Sequence, residues 1–174
     1  MASTLNRSLA DLGALLHLVD PTLPIGGFNH SNGLETFVQQ GVVSTKATLE
    51  EYVQTQLLQN WIYNDGAYLS LAFDAMNEGN FDSLCELDWQ LSATKVARES
   101  REGSFKLGVR LLKIFIRYET HTLLTAYQQA IVEKRVQGYF PIVFAMVAQA
   151  MGLSKADTLY AFYYNAAVGA ITNG

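Results

Sequence analysis

His17, His30, His121 and Cys85 are the side chains of this 174-residue chain best suited to hold a metal ion or to act as base or nucleophile. Metal sites and catalytic clusters announce themselves by spacing, as in H-x-x-x-H or C-x-x-C, and none of these four stands at such a spacing. Each histidine therefore reads as a surface or core-edge residue. Cys85, with apolar neighbours on a predicted helix, reads as a buried inert thiol. No GxxxxGK[ST] loop is present to cradle phosphate. Gly26-Gly27 follows two prolines rather than a strand, so it carries no dinucleotide-binding meaning. Glu50-Glu51 and Lys134-Arg135 read as solvent-facing pairs. The residues spell out no active site, and the chain is expected not to be an enzyme.

The charges are more informative. Net charge is −4, yet residues 1–94 hold two basic against eleven acidic groups, while residues 95–117 hold seven basic groups against Glu99 and Glu102. Lys106, Arg110, Lys113 and Arg117 are spaced four, three and four apart, which lines them along one helical face. Such a face is either simply solvated or steers docking to an acidic partner. Nucleic acid is not the expected partner, because a chain of pI about 5.3 repels phosphate over most of its surface. Phe105 and Phe115, interleaved with the cations, are better placed as core than as stacking platforms.

The elements positioning these residues read as helical throughout. Leu5 to Val19 forms a helix stopped by Asp20-Pro21. A loop follows to Gly33, then a helix from Leu34 to Gln40 ended by Gly41. Thr45 or Thr48 caps the third helix, with Thr48 and Glu51 at capping-box spacing, and its apolar stripe runs Leu49, Tyr52, Val53, Leu57, Trp61. Asp65-Gly66 breaks the chain before a helix ending near Glu78-Gly79-Asn80, and Phe81, Leu84, Leu87 and Leu91 mark the next. Ser92 to Tyr118 is predicted as two helices meeting near Gly103-Ser104. Thr120 to Val136 is amphipathic, and two apolar helices, 141–151 and 154–172, finish the chain. The expectation is an all-α compact bundle of about eight to ten helices, with no sheet, over one domain, 1–174. Residues 138–174 carry only Lys155 and Asp157 as charges, so this stretch is expected at an interface. No signal peptide is visible, the apolar run Phe140 to Leu153 is too short for a membrane span, and a lone cysteine suits a reducing compartment. A cytoplasmic protein is expected.

Three stretches carry a family resemblance. The run Leu15-Leu16-His17-Leu18-Val19-Asp20-Pro21-Thr22-Leu23-Pro24-Ile25-Gly26-Gly27-Phe28-Asn29-His30-Ser31-Asn32-Gly33-Leu34-Glu35 resembles the N-terminal signature of the urease accessory protein F family. That signature is a short apolar helix, a Leu-Pro-Ile/Val-Gly-Gly-Phe loop and a Ser-x-Gly-Leu-Glu helix start. Arg98-Glu99-Ser100-Arg101-Glu102-Gly103-Ser104-Phe105-Lys106-Leu107-Gly108 resembles its Glu-Thr-Arg-x-x-Ser-x-x-x-Gly stretch. Gly138-Tyr139-Phe140-Pro141-Ile142-Val143-Phe144, followed by Met151-Gly152-Leu153, is a weaker third match. Many members carry histidines where this chain has Tyr139-Phe140. Against the family pattern the chain stops at Thr172-Asn173-Gly174, where a Pro-Leu-Gly-Gln segment would begin, which reads as a truncation.

The resemblance implies a role without a reaction. A member of this family joins a D/H-type scaffold accessory protein and a G-type nickel GTPase on apo-urease, and helps the nickel centre assemble. It implies a homodimer, no tightly bound cofactor, and nickel and GTP handled by the partner proteins. Candidate partner-binding residues are Pro24, Gly26, Gly27, Phe28, Ser31 and Glu35 in the first motif, and Arg98, Arg101 and Ser104 in the second. Lys106, Arg110, Lys113 and Arg117 in the basic row, with Tyr139 and Phe140 in the third motif, complete the set. The first loop serves either to turn one helix onto the next or to shape a surface for partners as well. Arg98, Glu99, Arg101 and Ser104 fit a structural ion-pair network as well as a contact surface. Two other readings remain: a helical adaptor unrelated to urease that binds acidic partners through 95–117, and a small metal-dependent enzyme.

Overall fold

Local capping sets most of the helix boundaries. In the computed structural model, which describes residues 8–26 and 33–172, α1 (Leu9–Leu18) starts at Ser8, whose hydroxyl accepts from the Asp11 amide while the Asp11 carboxylate accepts from the Ser8 amide. After the turn at 19–26, α2 (Leu34–Gln39) closes on Gly41 at φ +73°. Helix α3 (Lys46–Thr55) is capped by Thr45, paired with Thr48 at N3, so the cap lies one turn before the expected Thr48–Glu51 box. Its end was not anticipated: Gln56–Trp61 winds as a π-helix, which turns Trp61 into the core. Then come α4 (Asp65–Asn77), α5 (Phe81–Thr94, capped by Asn80), α6 (Arg98–Phe115), α7 (Thr122–Val132), α8 (Phe140–Ala150) and α9 (Lys155–Thr172). Among the described residues there are nine α-helices, one π-helical turn and no strand, as the periodicity predicts.

Two expectations need correction. The segment 92–118 does not break at Gly103-Ser104: α6 runs unbroken through a buried Gly103, and the break falls at 95–97. Arg101 Nη1 donates to the carbonyls of Lys95 (2.8 Å) and Val96 (2.7 Å), satisfying acceptors that the end of α5 leaves open. Nor is the apolar C-terminal stretch one surface. Helix α8 is the axis of the bundle, with Ile142 to Ala148 at 0 or 1% exposure, packed mainly against α4 and α6. Its lack of charge reflects burial on every side. Within this stretch it is α9 that presents an outer apolar face, with Tyr160 (65%), Tyr164 (49%) and Ile171 (57%) exposed.

The main core gathers residues from α1 and α4 to α9, while Leu34, Val43 and Tyr52 form a separate small cluster between α2 and α3. A lysine–aspartate pair, Lys95 to Asp65 at 2.7 Å and largely shielded from solvent, ties the start of α4 to the end of α5. No described helix is long and apolar enough to cross a membrane.

Candidate functional site

Helix α6 is where the three motifs meet. On its inner side, Gly108 lies so close to the 138–140 backbone that a β-carbon there would collide with the Gly138 carbonyl. One turn earlier, Ser104 Oγ accepts from the Phe140 amide at 3.3 Å, and Phe105 meets the Tyr139 ring edge-on at 6.5 Å. The second and third motifs are thus one packed joint. On its outer side, Arg110 Nη1 donates to the Ile25 carbonyl at 3.0 Å, directly over Gly26, which adopts φ +79°. That bond joins the first motif to the same helix.

A residue the sequence reading passed over holds the inner joint. Asp88 of α5 is 1% exposed. Its Oδ1 accepts from the Gln137 amide (2.7 Å), and its Oδ2 accepts from the Gly138 amide (2.9 Å), the Tyr139 amide (3.1 Å) and the Tyr127 hydroxyl (2.7 Å). The carboxylate therefore supplies the acceptors for the turn entering α8. Burial, then the adjacent Asp88 charge, pushes the Tyr127 hydroxyl well above its ordinary pKa. The signal was present: an aspartate next to Leu87 and three before Leu91 sits on the apolar face of α5 and must be satisfied internally.

The remaining candidates divide by exposure. Tyr139 is 2% exposed, with its hydroxyl 3.0 Å from Ser92 Oγ, so it belongs to the core and not to a partner surface. Phe140 is half-buried against Phe144 and Phe162. Arg101 and Ser104 are committed to backbone groups, as described. Arg98 pairs with Glu102 at 2.7 Å and Lys106 with the same carboxylate at 3.4 Å, an exposed i,i+4 network. The Arg98 hydrogen bond, followed by that of Lys106, holds the Glu102 carboxyl below its ordinary pKa. Lys106, Arg110 and Lys113 lie exposed along α6, whereas Arg117, expected on the same helical face, lies exposed in the turn that follows the helix; no described carboxylate of residues 1–94 pairs with any of the four. Pro24 is exposed in the loop, and Glu35 is exposed in the first turn of α2. Gly27, Phe28 and Ser31 lie outside the described residues, as does His30.

The groups with metal or nucleophile chemistry stay apart. The exposed His17 rests against Phe115 at 4.9 Å, and His121 caps α7 by accepting from the Leu123 amide through Nδ1. Burial raises the Cys85 thiol pKa, only partly offset by Arg135. Among the described residues, no three histidine, cysteine, aspartate or glutamate side chains come together as a metal site would require.

Comparison with known proteins agrees with the motifs. The sequence profile of the UreF family matches residues 43–174. The chain belongs to the UreF family. It is 95% identical over 174 residues to the urease accessory protein UreF of Haemophilus influenzae strain PittEE, covering all of this chain and 74% of that protein. The UreF protein of Actinobacillus pleuropneumoniae serotype 5b is 79% identical over 166 residues, covering 95% of this chain and 73% of its own. A more distant member, from Lachnoclostridium phytofermentans, is 33% identical over 159 residues, covering 91% and 70%. The profile match takes in α6 and the third motif whole.

Proposed function

We propose that this chain is a non-catalytic component of urease maturation, working in the cytoplasm with a D/H-type scaffold protein and a G-type nickel GTPase on apo-urease. Membership of the UreF family is the observation that carries this reading, since its relatives are urease accessory proteins. The scattered placement of His17, His121 and Cys85 supports a part in which nickel and GTP are handled by the partners. The protein's contribution is a shaped surface. Its cationic part is the outer face of α6 and the turn after it, where Lys113 and Arg117 stand exposed with no described ion-pair partner. Its apolar part is the outer face of α9, the natural site for a second copy of the chain or for the scaffold. Co-purification of the tagged chain with the D/H-type scaffold and the G-type GTPase tests the assembly. A stable complex that raises nickel content and activity in co-expressed urease is expected. Failure of either partner to co-purify, with the chain folded, overturns the proposal.

A further inference from the structure

Arg110 belongs to two features at once. It is one of the exposed cations along α6, and it makes the one hydrogen bond from α6 to the 20–26 loop among the described residues. That loop is otherwise closed by short bonds of its own. Asp20 Oδ1 accepts from the Thr22 amide (2.7 Å) and hydroxyl (2.6 Å), Leu23 N donates to Asp20 O (3.1 Å), and Ile25 N donates to Leu23 O (2.7 Å). Gly26 completes the seat: with φ +79° and no β-carbon, it lets the guanidinium lie on the backbone where any side chain would strike Nη1.

The acceptor Arg110 holds is a neutral carbonyl at an exposed site, whereas a carboxylate takes a guanidinium through two charge-assisted bonds, each roughly twice as strong. Two carboxylates on the elements that Arg110 bridges are already engaged, Glu102 by Arg98 and Lys106, and Asp20 by Thr22. The row is therefore a cationic surface one member of which, Arg110, is held by a weak, exchangeable partner. We infer that the outer face of α6 receives an acidic segment of a protein partner, and that Arg110 reports its arrival to the loop. A carboxylate docked across Lys113 and Arg117 draws the Arg110 guanidinium from Ile25 and frees residues 23–26 from α6. Residues 23–26 then become available to a partner only once the α6 face is occupied. A protein segment fits better than a nucleic acid, because the two rings within α6 are taken, Phe115 by the core and Phe105 by Tyr139, and a chain of pI about 5.3 repels phosphate over most of its surface.

This inference rests on the docking role given to α6 above, and the experiment separates the two. Hydrogen–deuterium exchange of the full chain is followed at the loop amides at ~20 mM salt, where the Debye length is roughly 20 Å, with short poly-L-glutamate as the acidic probe and poly-L-lysine as control. Polyglutamate should bind and speed exchange at residues 23–26 several-fold, while polylysine does neither. In Arg110→Gln the loop should exchange fast from the outset and show no further change on binding. Lys113→Gln with Arg117→Gln should weaken binding several-fold and leave the unliganded loop as in wild type. Binding of polyglutamate to wild type with no change at the loop overturns the coupling and leaves the docking face standing, and this arm depends on no variant folding. Absence of binding, or equally tight binding of single-stranded oligothymidylate, overturns the docking role itself.

Discussion

Asp88 and Tyr127, 39 residues apart in sequence, meet at 2.7 Å inside the bundle, the tyrosine hydroxyl donating to a carboxylate oxygen that also accepts two backbone amides. The contact ties α5 to α7 and, through the amides, to the turn that launches α8. An aspartate so deeply buried is tolerated only because it is fully engaged.

Asp88→Ala should accordingly be among the most damaging single changes available. It strands the Tyr127 hydroxyl and the buried amides of Gly138 and Tyr139, each costing about 1–3 kcal/mol. A total loss of at least about 3 kcal/mol is expected in urea unfolding, a large part of a typical domain's stability. Asp88→Asn keeps the shape but turns one oxygen into a donor facing donors, so a smaller loss of ~1–3 kcal/mol is expected. An Ala variant within ~1 kcal/mol of wild type would show that water replaces the carboxylate.

Alkaline stability should report the same contact. The Tyr127 pKa is raised well above 10.0 in the folded protein, so the unfolded chain releases this proton first. Its contribution is full below pH 10 and falls as pH rises beyond it, with a slope of about 1.4 kcal/mol per pH unit for one proton. Burial moves Tyr52 and Tyr163 in the same direction, adding to the slope. Tyr127→Phe should flatten the stability curve above pH 10 by about one proton's worth. An unchanged slope in that variant would contradict the assignment.

Two glycines should respond oppositely to alanine. Gly108→Ala drives a methyl group into the Gly138 carbonyl and the Tyr139–Phe140 backbone, which cannot yield as a flexible side chain would. Overpacking of this kind costs about 1–3 kcal/mol. Gly13, inside α1 with nothing near its missing β-carbon, should gain about 0.5–1 kcal/mol as alanine from helix propensity. Thermal melts of the two variants, measured side by side, check the contrast; a stabilising Gly108→Ala would refute the close approach.

Charge reversal on α6 should act on association and spare the fold. Lys113→Glu with Arg117→Glu removes no described ion pair, and exposed charges of this kind contribute only ~0–1 kcal/mol each. Assembly with the accessory partners or apo-urease should slow, most at low salt, where screening is weak. Arg110 is left out of this pair because its bond to Ile25 would confound the melt. An unchanged association rate at ~20 mM salt, with the melt also unchanged, would remove the docking role.

The helical architecture could be read from the sequence because it rests on local signals. Leu84, Leu87 and Leu91 fall on one face, and Asn80 and Gly41 end or begin helices where turn chemistry says they should. The errors came where long-range contacts overrode that grammar. Gly103 reads as a breaker but sits buried in a continuous helix, while the true break at 95–97 has no glycine or proline and is stabilised by Arg101 folding back on it. The π-turn at Gln56–Trp61 has no composition signal. Of the candidate site, the α6 row was visible as spacing: Lys106, Arg110 and Lys113 lie exposed on that helix, and Arg117 falls in the turn just beyond its end. The hydrogen bonds that place Tyr139 in the core, anchor Asp88 and carry Arg110 to Ile25 span 39 to 85 residues, which no periodicity records.

The placement of α8 also sets a timetable for biosynthesis. The helix around which the others pack begins at Phe140, so α1, α4 and α6 emerge from the ribosome before the element that covers their apolar faces. At roughly 5–20 residues per second, α1 waits on the order of ten seconds for its partner to be made. During that interval Leu15, Leu69, Leu111 and their neighbours have only each other or a chaperone for shelter. Synthesis rate and holdase supply should therefore govern the yield of this protein more than its final stability does.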